Sequence, residues 1–80
     1  MNTDKQYTRE LMEHLLAFNT PDEMEQALRA LLTPAEFSEV TKRLQIFKLL
    51  GQGMPQRQIA ETLGVGIATV TRGSRALKAE

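Results

Sequence analysis

The chain has 80 residues, the length of one small domain. Its 10 basic and 10 acidic side chains cancel, and 41% of its residues are hydrophobic, a fraction typical of folded rather than disordered chains. It has no cysteine and a single histidine, which excludes a disulfide framework, a thiolate zinc site and a cysteine nucleophile and disfavours a histidine triad. We therefore expect neither an enzyme nor a metalloprotein.

The same counts predict where the protein acts and in what state. No apolar run approaches the roughly 20 residues of a membrane span, and residues 1–10 lack the apolar core of a signal peptide, so we expect a cytoplasmic protein without a membrane partner. A chain of this size buries only about 60% of its unfolded surface. Because neither disulfides nor metal can add stability, we expect a homodimer.

Spacing and start signals predict three helices in the first part of the chain. The first carries an apolar residue at every third or fourth position from Tyr7 to Phe18. The second begins with TPDE at residues 20–23, which combines a capping threonine, a proline at the first helical position and a capping-box glutamate. TPAE at residues 33–36 repeats this signal and starts the third helix, which Gly51 ends. Its predicted apolar stripe comprises Phe37, Val40, Leu44, Ile46, Phe47, Leu49 and Leu50.

The last part of the chain predicts two short helices joined by a tight turn. The fourth runs from about Pro55 to Gly64 and the fifth from Ile67 to about Leu77, with no strand anywhere. Ala60 is small where two helices must cross closely, and Gly64 stands where the chain needs a left-handed turn. This pattern is typical of a helix-turn-helix. Its predicted inward positions are Ile59, Leu63, Val65, Val70 and Leu77. The fold class is therefore all-α, with five helices in one domain.

Burial of Val70 and Leu77 would turn the other side of the fifth helix outward. The residues predicted to lie there are Ile67, Ala68, Thr71, Arg72 and Arg75. Arginine can reach guanine edges or phosphates, threonine can bond to either, and small apolar groups fit a thymine methyl. Gln56 and Arg57 start the fourth helix, where free N–H groups favour a phosphate.

Charge is divided unequally along the chain. Residues 1–41 carry three basic and eight acidic side chains, whereas residues 42–80 carry seven basic and two acidic ones. A polyanion would be attracted to the second half and repelled by the first. This division favours double-stranded DNA as the partner of the helix-turn-helix.

The segments LTP at residues 32–34 and GIATVTRGS at residues 66–74, with Arg43 between them, resemble the Trp repressor family. The resemblance covers about Ala30 to Lys78 and implies an intertwined all-α homodimer that binds a two-fold symmetric operator as a transcriptional repressor. It also implies L-tryptophan as the corepressor, wedged between the dimer core and each reading head. In domain terms, residues 1–53 would form the dimerisation helices and residues 54–78 the DNA-reading head.

The resemblance also assigns site residues. The positions near DNA are Gln56, Arg57, Ala60, Ile67, Ala68, Thr69, Thr71 and Arg72. The corepressor positions are Leu32, Thr33, Arg43, Arg72 and Gly73. In this assignment the two arginines sandwich the indole ring, the residues at 32 and 33 come from the other subunit, and the glycine leaves room for the ring.

Several alternatives stay open at this level. Phe47, Ala76 and Ala30 stand where the resemblance leads us to expect valine, serine and leucine near the ligand, so a ligand-independent relative or another small effector is one alternative. Arg43 could instead pair with Glu39, one turn earlier. Two further alternatives concern function. The chain could be a protein-interaction module that uses its acidic half, or the DNA-binding part of a recombinase or transposase.

Overall fold

The computed structural model describes residues 3–78, which form five α-helices and no strand. They are α1 (Thr3–Leu16), α2 (Pro21–Leu31), α3 (Pro34–Gly51), α4 (Gln56–Leu63) and α5 (Ile67–Lys78). This confirms the predicted all-α class and the five helices in their predicted order. None of these helices, over the residues described, is both long and apolar enough to cross a membrane.

The first helix differs slightly from its predicted extent. It begins before the apolar stripe, at Thr3, and ends at Leu16 rather than at Phe18. The amides of Ala17 and Phe18 instead donate to carbonyls three residues earlier, each over 3.3 Å. This tighter pattern is usual where a helix unwinds into a loop.

The chain divides into two compact units, Met1–Phe37 and Ser38–Glu80. The sequence predicted a division at residue 53, after the third helix. The structure places most of α3 with α4 and α5 because an α3 residue, Ile46, belongs to the same apolar core as α4 and α5. The assignment of residues 1–53 to dimerisation remains a prediction.

Threonine caps start the second and third helices as predicted. The Glu36 amide donates to Thr33 Oγ1 over 3.1 Å, and the Thr33 amide donates to the Glu36 carboxylate over 2.8 Å, a reciprocal capping box. At the start of α2 the Glu23 amide donates to Thr20 Oγ1 over 3.2 Å. The Glu23 carboxylate accepts from the amide of Asn19 rather than from that of the capping residue.

A small core holds the second unit together. Ile46 of α3, Ile59 and Ala60 of α4 and Val70 of α5 are its buried members. This confirms the inward positions predicted for α4 and the middle of α5. Partly buried apolar side chains surround the core, namely Leu49, Leu50, Met54, Leu63 and Val65.

Other apolar positions predicted to be inward are exposed. Leu77 is 36% exposed, so its predicted burial is wrong. It lies in the last turn of α5, one turn beyond Gly73 and Ser74, which are the last buried positions of that helix. Val40 and Leu44, from the predicted stripe of α3, are also about half exposed.

Candidate nucleic-acid interface

A left-handed turn at Gly64 joins α4 to α5. Gly64 has φ 67° and ψ 36°, and the Val65 amide donates to the Ala60 carbonyl over 3.0 Å. This is the pattern of a Schellman helix end. A Cβ built on Gly64 meets nothing within 4 Å, so the backbone angle alone favours glycine here. The turn predicted from the sequence is confirmed.

The two helices pack directly on each other at their small and branched residues. Ile59 and Val70 are fully buried and Ala60 is 9% exposed. Ala60 was predicted to lie near DNA as well as at the crossing. Its burial places the methyl group in the contact between the helices rather than on the exposed surface of α4.

Much of the surface of α5 outside its buried positions is open. Ile67 is 51% exposed although it is apolar, and Ala68, Arg72 and Arg75 are also exposed. We call this surface, together with the partly buried Thr69 and Thr71, the α5 outer face. On it, the Arg72 guanidinium donates to Thr69 Oγ1 over 3.3 Å, which ties the arginine to its own helix.

A side-chain hydrogen bond links the start of α4 to the middle of α5. Thr71 Oγ1 lies 3.0 Å from Gln56 Oε1. The first turn of α4 follows Pro55, which makes no side-chain cap, and Arg57 beside it is exposed. The sequence assigned both Gln56 and Thr71 to DNA but missed the bond between them. The helix-turn-helix geometry was the available signal, since it sets the first turn of one helix against the middle of the next.

The second unit is basic at its surface. Between residues 38 and 78 seven side chains are basic and two, Glu39 and Glu61, are acidic. The basic side chains, all exposed, are Lys42, Arg43, Lys48, Arg57, Arg72, Arg75 and Lys78. Within the part of the chain described, the ion pairs lie in α1 and α2, and none joins Arg43 to Glu39. The unit therefore presents positive charge available to an anion.

The predicted corepressor positions are split between the two units. In the first unit Leu32 is partly buried and Thr33 is exposed, with its side chain engaged in the cap of α3. In the second unit Arg43 and Arg72 are exposed. Gly73 is buried, and a Cβ placed on it would lie 2.9 Å from Ile46 Cγ2. The space left by the missing side chain is thus bordered by Ile46 of the same chain.

Comparison with known proteins agrees with this geometry. The Trp repressor protein family matches residues 6–80. The Trp operon repressor homolog of Vibrio atlanticus (strain LGP32) is 41% identical over 73 residues, which cover 90% of this chain and 74% of that protein. That of Vibrio vulnificus (strain YJ016) is 42% identical over 77 residues, covering 95% and 72%.

A match over a shorter segment has a higher sequence identity. The homolog of Vibrio campbellii (strain ATCC BAA-1116) is 49% identical over 57 residues, which span 70% of this chain and 57% of that protein. The chain therefore matches between roughly half and three quarters of the length of these relatives. The match confirms the resemblance seen in the LTP and GIATVTRGS segments. The chain belongs to the Trp repressor family, a family of regulators rather than enzymes.

Proposed function

We propose that this regulator binds double-stranded DNA in a sequence-specific way and represses transcription by placing α5 in the major groove. One observation carries the proposal. Val70 is fully buried, whereas Ile67 at the start of the same helix is half exposed and Arg72, further along the helix, is exposed. An exposed face of apolar, hydroxyl and guanidinium groups on the second helix of a helix-turn-helix is suited to reading base edges.

Groups on the α5 outer face and at the start of α4 have defined roles in this proposal. Arg72 would bond to a guanine edge or a phosphate, and the side chains of Ile67 and Ala68 would contact thymine methyl groups. Arg57 would meet a phosphate near the first turn of α4, where backbone N–H groups add a favourable field. Contacts to phosphate set affinity and register, while the outer face sets sequence preference.

Exposed apolar surface supports the homodimer in the proposal. Tyr7 and Leu16 of α1 are 62% and 81% exposed, and Val40 and Leu44 of α3 are 52% and 53% exposed. Large apolar groups at such positions are typical of association surfaces. Two heads would then occupy successive major grooves about 34 Å apart on a two-fold symmetric operator. Sedimentation velocity should show a dimer, and a folded monomer at micromolar concentration would contradict this arrangement.

Regulation by L-tryptophan is the finer part of the proposal. The exposed guanidinium groups of Arg43 and Arg72 can stack on an indole ring, which planar, weakly hydrated cations do well. Tryptophan would act by binding more tightly to the head orientation that fits DNA. Isothermal titration should give a heat of binding that Arg43→Ala removes. No heat at millimolar tryptophan, with DNA binding intact, would instead identify a ligand-independent member.

Selection from a random duplex pool tests the proposed function as a whole. We expect an enriched sequence with two-fold symmetry, and stronger enrichment when tryptophan is present. A pool that stays random after several rounds, with and without tryptophan, would contradict sequence-specific binding.

A further inference from the structure

Gln56 and Thr71 both match DNA-contact positions of the family, and the contact between them indicates that their roles differ. We propose that Thr71 is a positioning residue: its hydroxyl holds the Gln56 amide so that the amide N–H₂ group, rather than Thr71 itself, meets the operator. This inference rests on the proposed DNA-binding function and adds to it the assignment of which side chain makes the contact.

Counting donors and acceptors supports this assignment. Thr71 Oγ1 lies 3.0 Å from Gln56 Oε1 and also 3.0 Å from the Ile67 carbonyl of its own helix. A hydroxyl has one hydrogen to donate. The Ile67 carbonyl already has the position of an acceptor in the α5 ladder, where the amide four residues later donates to it. Donation of the Thr71 hydrogen to Gln56 Oε1 therefore gives a partner to a side-chain oxygen, whereas the Ile67 carbonyl already accepts a backbone hydrogen bond.

The location of the contact makes the orientation of Gln56 matter. Both side chains are partly buried, and the bond spans fifteen residues of sequence between two helices. A bond in partly desolvated surroundings fixes an amide more firmly than one exposed to water. With its oxygen held by Thr71, Gln56 keeps two N–H donors, and these lie at the first residue of α4, next to the exposed Arg57.

In the same bond the Thr71 hydroxyl is already engaged. A threonine that donates to a base must turn its hydroxyl hydrogen toward the groove, which would break its bond to Gln56. Gln56 faces no such conflict, because its acceptor and donors are different atoms. The pair can thus keep its bond when DNA binds.

A double-mutant cycle tests the proposal with Thr71→Val, Gln56→Ala and the double variant. Valine keeps the branched shape of threonine and removes only the hydroxyl. The readouts are affinity for the selected duplex, affinity for a base-shuffled duplex, and the side-chain amide signals of Gln56 in the ¹⁵N NMR spectrum of the free protein. The exposed Thr62 of α4 supplies the matched control, Thr62→Val.

We expect Thr71→Val to weaken operator binding about two- to tenfold, the usual range for the loss of one hydrogen bond, and to shift the Gln56 amide signals. It should change binding to the shuffled duplex less than twofold and have no further effect when Gln56 is already alanine. Thr71→Ser, which keeps the hydroxyl, should restore both operator affinity and the signals. Thr62→Val should match the wild type.

Two results would overturn the positioning role. The first is an equal loss from Thr71→Val with and without Gln56, which would mean that the threonine contacts DNA by itself. The second is wild-type operator affinity in Thr71→Val. Failure of the proposed function would look different, because the wild-type protein would then bind selected and shuffled duplexes alike.

Discussion

Gly73 of α5 faces Ile46 of α3 so closely that a Cβ on the glycine would lie 2.9 Å from Ile46 Cγ2. Real Cβ atoms do not approach a neighbour to this distance, and Ile46 is 1% exposed, so it has little room to withdraw. The missing side chain of Gly73 therefore lets α5 lie directly on α3. The position of α5 depends on this contact as well as on its crossing with α4.

Replacing Gly73 by alanine should destabilise the fold by about 1–3 kcal/mol, the usual effect of overpacking a core. Urea unfolding at a fixed chain concentration measures this, because the stability of a dimer depends on concentration. Gly51→Ala is the matched control, since nothing lies within 4 Å of its Cβ position in α3. The control should be as stable as the wild type or slightly more so. Equal stability of the two variants would contradict the close contact.

Replacing Gly64 by alanine should cost about 1–2 kcal/mol through backbone strain alone. The residue has φ +67°, and no neighbour lies within reach of an added Cβ. Gly64→Asn, which tolerates this backbone region better, should lose less. The order glycine, asparagine, alanine in thermal unfolding is the expected result. An alanine variant as stable as the wild type would show that the turn is not left-handed in solution.

Replacing Arg72 by alanine should weaken binding to the selected operator by about 1–3 kcal/mol. The loss follows because an exposed guanidinium on the α5 outer face would be removed from bases or phosphates. Fluorescence anisotropy with labelled duplex measures it. Arg9→Ala is the control, since Arg9 is exposed on α1 and pairs with Glu13. Unchanged operator affinity in Arg72→Ala would contradict the assignment of this face.

Local sequence signals predicted much of this structure because they depend on neighbouring residues only. A capping threonine before proline set the starts of α2 and α3, and the need for a left-handed turn identified Gly64. The buried face of α5 followed from helical period up to Val70. The same period wrongly predicted burial of Leu77, because the apolar pattern continues to the end of α5 whereas the residues that cover this helix end at Ser74.

The contacts that sequence missed join residues distant along the chain. Neither the approach of Gly73 to Ile46 nor the bond from Thr71 to Gln56 can be read from spacing, since both depend on how helices cross. Ala60 differs from these, because it was predicted both at the helix crossing and near DNA, and its burial agrees with the first of these predictions. Contacts that depend on how helices cross were therefore harder to predict than caps and turns, which depend on neighbouring residues.

The most direct test of DNA reading by α5 is a titration of the protein with the selected duplex and with a base-shuffled duplex between 50 and 200 mM salt. The selected duplex should bind about 10³-fold tighter or better, and both affinities should fall steeply with salt because basic side chains displace counterions from phosphates. Equal affinity for the two duplexes at every salt concentration would contradict the account.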